Sequence, residues 1–181
     1  MNIFHLDSDP VEAAKMMCDK HVVKMVVEYG QLLSTAHRLL DGEQYQDKTK
    51  NGRNIKRWRL PQEAREEVLY KASHVNHPSN LWARKNASNY RWLYDHFQAT
   101  AREYEHRYGR KHATYEKIGG MVWFTPRNID KFESLTPFAQ AMPDDCKRED
   151  PVDAYREYYK QEKKAFAKWT NRAVPHWFCA S

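Results

Sequence analysis

The chain has 181 residues, 41% of them hydrophobic and 30% charged, with a formal net charge of +6. That length and apolar content suit a single domain, 1–181, with its own core, and exclude a disordered chain or one that needs disulfide staples. No apolar run approaches the ~20 residues of a membrane span, and Met1-Asn2-Ile3-Phe4-His5-Leu6-Asp7 lacks the basic start and apolar stretch of a secretion signal.

Taken in chain order, the first helix opens at Asp9-Pro10-Val11-Glu12, with an acceptor at the N-cap and Pro at the first helical position. An apolar stripe at Val22, Met25, Val26, Tyr29, Leu32, Leu33 and Ala36 continues it to about Leu40, before Asp41-Gly42. Residues 42–60 read as an exposed polar connection in which Lys48, Lys50, Arg53, Lys56, Arg57 and Arg59 are interleaved with Trp58. A short helix is expected from Pro61 to about Ala72, and Asn76-His77-Pro78 restarts helical structure. From Ser88 the stripe Tyr90, Leu93, Phe97, Ala101, Tyr104 and Tyr108 marks a long amphipathic helix stopped by Gly109. Residues 110–150 are the least regular. There Met121-Val122-Trp123-Phe124 follows Gly119-Gly120, with core packing the expected use and a wedge into opened duplex the alternative. A brief helix is expected at Pro137, and Asp150-Pro151-Val152-Asp153 repeats the first capping pattern. Beyond it Val152, Tyr155, Tyr159, Phe166 and Trp169 form one face and Lys160, Lys164 and Lys168 another, suited to tracking phosphates or simply to solvent. The expected fold class is therefore all-α: a single compact helical domain with long irregular connections and room for one short extended N-terminal piece.

Positive balance favours polyanionic partners. Six Trp, eleven Tyr and seven Phe, many beside Lys and Arg, add stacking platforms suited to unstacked bases. Cys18, Cys146 and Cys179 are odd in number and form no CxxC pair, as expected of free thiols in a reducing cytoplasm, that of a host if the source is viral. His74 and His77 lack the Cys or carboxylate partners of a zinc site, and His77 fits a helix start, so no metal is expected. Asp144-Asp145 and Glu149-Asp150 read as caps that balance Lys147 and Arg148.

Inside the first helix His21, Lys24, Glu28 and Gln31 are spaced three, four and three, so they share one face bordering the apolar stripe. The plain alternative is a solvated flank with a Lys24–Glu28 pair, worth only ~0.2–0.5 kcal/mol, and less in this orientation. The stretch from Asp19 to Leu33 resembles the first-helix motif of the pyrimidine-dimer DNA glycosylases, the phage endonuclease V family, in which a basic residue stands seven positions before a catalytic glutamate. His21 and Glu28 match that spacing, and Lys24 and Gln31 match bacterial members. His77-Pro78 through Leu81-Trp82 to Tyr90, Glu103-Tyr104 to Arg107-Tyr108-Gly109, and the closing Trp177-Phe178 are similar to later blocks in the same order. Residues 41–73 and 110–150 have no matching block.

The resemblance implies a DNA glycosylase, with or without abasic-site lyase activity, acting on a damaged or modified pyrimidine in double-stranded DNA. No membrane and no obligatory protein partner is implied, and no cofactor is expected, because an amine and a carboxylate would carry the chemistry. A neutral amine would attack C1′, and Glu28 would stabilise the sugar cation and shuttle protons. His21 and Lys24 would hold phosphate; Gln31, Trp177 and Phe178 would meet DNA. An α-amine titrates about 2.5 pH units below a lysine, so at neutral pH it is the more available nucleophile by roughly 3.4 kcal/mol. This sequence departs from the phage pattern at Asn2, whose bulk should block removal of the initiator Met. The expected nucleophile is then the Met1 α-amine, displaced by one residue, with Lys24 competing if burial lowers its pKa. Two readings stay open beside it: a non-catalytic basic DNA-binding module, and an enzyme that modifies bases or nucleotides.

Overall fold

A computed structural model describes residues 1–179. The helices are α1 (Pro10–Met16), α2 (Asp19–Asp41), α3 (Glu63–Val68), α4 (Pro78–Ala83), α5 (Ala87–Tyr108), α6 (Ala113–Ile118), α7 (Pro151–Glu162) and α8 (His176–Cys179). Strands β1 (Glu43–Lys48) and β2 (Asn54–Arg59) pair antiparallel, from Glu43 opposite Arg59 to Lys48 opposite Asn54. The fold is mostly helical rather than all-α: the stretch expected as an irregular connection is a β-hairpin. Its turn follows from Asn51-Gly52. Gly52 adopts φ +74° and donates to the Thr49 carbonyl at 2.9 Å, and the Thr49 amide closes on the Arg53 carbonyl. Among the described residues no helix is long and apolar enough to cross a membrane.

The core lies between α2 and α5, with α1 packed on α5 and α4 and α6 on α2. Tyr29, Leu32, Leu33, Tyr90, Leu93 and Phe97 fill it, all from the two stripes expected to face inward. Gly30 lets α6 come close, since a Cβ there would stand 2.8 Å from Ile118 Cδ1. The expected single first helix is two. The chain turns through extended backbone at Met17 and Cys18, where no side chain caps α2. Tertiary bonds set the break: Arg107 Nη1 reaches Asp19 at 2.9 Å while Nη2 takes the Lys15 carbonyl at 3.0 Å, gripping both helices. The caps at Asp9 and Asp150 are as expected, accepting from the Val11 and Val152 amides at 2.7 Å, and Gly109 ends α5 left-handed at φ +68°.

The N-terminal segment is no strand, yet Ile3, Phe4, His5 and Leu6 are buried. A relay ties it to both long helices. The Phe4 amide donates to Tyr29 Oη, which faces His96 Nε2 at 3.0 Å, and His96 Nδ1 donates to the Pro10 carbonyl at 2.8 Å. No helix forms at Pro137; the only turn there is a 3-10 one at Asp144–Cys146. Trp123 and Phe124 are exposed rather than packed in the core, and the Arg91 guanidinium lies over the Trp123 ring at 4.9 Å.

Candidate active site

Glu28 projects from α2 toward the N-terminal segment and is 12% exposed. Three donors meet its carboxylate: the Met1 α-nitrogen at 3.5 Å and the Asn2 amide at 3.1 Å from Oε2, and Lys24 Nζ at 3.1 Å from Oε1. The two oxygens can accept about four such bonds, so an acceptor site is left over. Lys24 is 70% exposed and the Met1 side chain only 3%, so the lysine stands at the mouth and the α-amine inside.

Asn2 fixes where that amine sits. Its Nδ2 donates to the Ala141 carbonyl at 2.9 Å, and its Oδ1 accepts from Tyr155 Oη and the Ile3 amide, both at 2.8 Å. His77, the cap of α4, accepts from the Ser79 amide through Nδ1. Burial first, then the positive charges of the α-amine and His74, hold its imidazole below the usual range, against a smaller pull from Glu28.

A cavity of about 280 Å³ opens over the carboxylate, lined by Met1, Asn2, Lys24 and Glu28 together with Phe4, Ala141, Tyr158 and Lys163. Tyr158 and Lys163 were not foreseen from the sequence. Lys163 Nζ sits 3.0 Å from Tyr158 Oη and 4.3 Å from its ring centroid. They lie 130 residues and more from Glu28, and only the fold brings them across from it.

The remaining expected DNA-contacting residues land differently. His21 is 7% exposed, stacked on Phe4 at 4.2 Å and bonded through Nδ1 to Tyr159 Oη. Burial, then the Lys163 and Lys24 ammonium groups, lower it to about 3. A buried neutral ring cannot hold phosphate as a cation, so His21 is part of the cavity floor. Gln31 is half-buried, one turn beyond Glu28. Trp177 is buried against Tyr159, its indole aimed at Met16 Sδ, and Phe178 packs half-buried on Trp169, so the closing aromatics seal the core. Lys160, Lys164 and Lys168 do not share a helix face, because α7 ends at Glu162; Lys160 is half-buried and the other two are exposed beyond it. Among the described residues no three His, Cys, Asp or Glu side chains gather as a metal site would need.

Residues 1–116 match the family described as pyrimidine dimer DNA glycosylase. No curated protein and no solved structure matches the chain. The matched segment holds Met1, Lys24 and Glu28, whereas Ala141, Tyr158 and Lys163 come from outside it.

Proposed function

Because the chain belongs to the pyrimidine dimer DNA glycosylase family, a family of DNA-repair glycosylases, we propose that it excises a damaged pyrimidine from duplex DNA and nicks the strand through a covalent amine intermediate. One observation carries the reading: the α-nitrogen and the Glu28 carboxylate share a cavity, 3.5 Å apart. An amine nucleophile and a carboxylate that takes up and returns its proton need that proximity. Lys24 Nζ stands 70% in solvent whereas the Met1 α-nitrogen lies inside the cavity beside the carboxylate, so the Met1 α-amine is the nucleophile of this reading.

The α-nitrogen bonds to C1′ as the bond from C1′ to the base breaks. Glu28 accepts the proton the amine sheds and stabilises the cationic sugar. Glu28 returns that proton to O4′ as the C1′–O4′ bond breaks, which leaves an iminium at C1′; the freed carboxylate takes a 2′ proton as the 3′ phosphate departs, and water then hydrolyses the imine and frees the amine. The target nucleotide, or its partner base, has to leave the stack so that C1′ can approach the amine. Lys24 and Lys163, which both line the cavity, suit the flanking phosphates.

Borohydride reduction during incubation with a duplex carrying a cyclobutane dimer or an abasic site tests this. Covalent capture is expected, and peptide mapping of the adduct should place it on the N-terminal residue. DNA binding without capture would reduce the chain to a binding module. Turnover of a free nucleotide with no DNA affinity would make it a base-modifying enzyme.

A further inference from the structure

The β1–β2 hairpin carries six cations against only Glu43 and Asp47. Arg57 pairs with Asp47 at 3.8 Å, and Arg59 stands opposite Glu43 and 4.9 Å over the Tyr45 ring. That leaves Lys48, Lys50, Arg53 and Lys56 in the outer half. All four are exposed, and among the described residues none makes an ion pair. Lys56 lies opposite Gln46, so Lys48 is its diagonal neighbour on the same face, roughly 7–8 Å away. Like charges so close, with no acid between them, disfavour the free hairpin. A two-stranded ribbon is marginal in water to begin with. It is held at its root instead: Arg38 donates to the Trp58 carbonyl at 2.9 Å, and the Leu60 amide to Glu66 at 2.8 Å.

A second feature lies at the same helix end. Asp41, the last residue of α2, accepts from the Arg127 and Asn128 amides at 2.9 and 3.1 Å. This moors the 121–128 loop beside the hairpin root, with the Phe124 ring 66% exposed. Four exposed cations without an acidic partner among the described residues, on an arm of a protein from a DNA-acting family, match one partner: a phosphodiester backbone.

We propose that the hairpin is a second DNA contact, an arm that grips duplex phosphates away from the lesion through Lys48, Lys50, Arg53 and Lys56. The inference rests on the DNA reading above. Asp41 lies thirteen residues beyond Glu28, about 20 Å along α2, which equals roughly six base steps.

The test uses the full chain with two quadruple variants, K48Q/K50Q/R53Q/K56Q and the charge-keeping K48R/K50R/R53K/K56R, on an undamaged 30-base-pair duplex across a salt series. The neutral variant should bind about tenfold or more weaker at 100 mM salt, and its log–log salt slope should be shallower by about 2 to 3.6. The charge-keeping variant should bind as the parent does. Borohydride capture at saturating neutral variant should match the parent. An unchanged slope and affinity in the neutral variant, while the parent is captured, overturns the arm and leaves the glycosylase reading standing. A lost slope with no capture by the parent keeps the arm and sinks the chemistry. Failure of the parent to bind duplex overturns both.

Discussion

Glu28 and Arg38 stand ten residues apart on one helix, about 15 Å along its axis, and both are charges withdrawn from solvent. They are used in opposite ways. All five N–H donors of Arg38, 1% exposed, are taken: Nε by the Tyr70 carbonyl, Nη1 by the Trp58 carbonyl and the Glu66 carboxylate, Nη2 by the Glu66 and Leu69 carbonyls. Nothing remains there for a ligand. The donors at Glu28 include one inside amine and one solvent-facing ammonium, and a cavity lies over them. A buried charge with every valence met is architecture, whereas one with capacity left and space above it is available for chemistry.

Exchanging the two residues' neutral analogues should break this contrast most sharply at Glu28. Glu28→Gln keeps the shape and removes the proton acceptor, so strand cleavage should fall by about 10²–10⁴-fold. Duplex affinity and the melting temperature should stay near the parent's. Undiminished cleavage in single-turnover assays would remove Glu28 from the mechanism. Arg38→Met should do the reverse. It strands Glu66 and four carbonyls, which costs about 3–5 kcal/mol in denaturant unfolding, while any protein that still folds should be captured by borohydride at the parent's level. A loss of capture in folded Arg38→Met would merge the two roles.

Acid sharpens the comparison more gently, because each half of α2 holds a buried histidine. Burial lowers His21, at the Glu28 end, to about 3, and His37, at the Arg38 end, to about 4; His96 on α5 is also held at about 4. Near neutral pH these rings are uncharged whether the chain is folded or not. Below about 6.5 the unfolded chain binds protons that the folded one refuses, so stability falls as pH drops toward 4. Each ring contributes up to about 1.4 kcal/mol per pH unit. Asp19, Glu66 and Glu103, held low by hydrogen bonds and charge pairs despite partial burial, add their loss only near and below the ordinary carboxylate range. Thermal melts between pH 6.5 and about 5.5 therefore read mainly the buried histidines, and a flat profile there would contradict their burial as neutral rings.

Periodic and capped elements were legible in the sequence: the α2 and α5 stripes, the Asp-Pro caps, the stop at Gly109 and the shared face of His21, Lys24, Glu28 and Gln31. The break at Met17-Cys18 was not, because Arg107 and Asp19 impose it from afar and no Gly or Pro marks it. The hairpin hid for a different reason. Neither face is buried, so its strands show no apolar alternation, and only Asn51-Gly52 signalled it. Within the site, Glu28 and Lys24 were readable from spacing, whereas the far wall at Tyr158 and Lys163 depends on how α7 folds back. The burial of His21 was missed because it sits on the border of a stripe, and Tyr159 and Phe166 close over it only in three dimensions.

The seating of Met1 reaches into how the protein can be handled. Its side chain packs against the core and its nitrogen faces Glu28, so any polypeptide fused ahead of it would start inside the cavity and have to leave through it. On the proposed amine chemistry, an amino-terminal affinity tag would turn that α-amine into an amide beside Glu28, and the tagged protein should bind DNA yet give no borohydride capture until the tag is cleaved away.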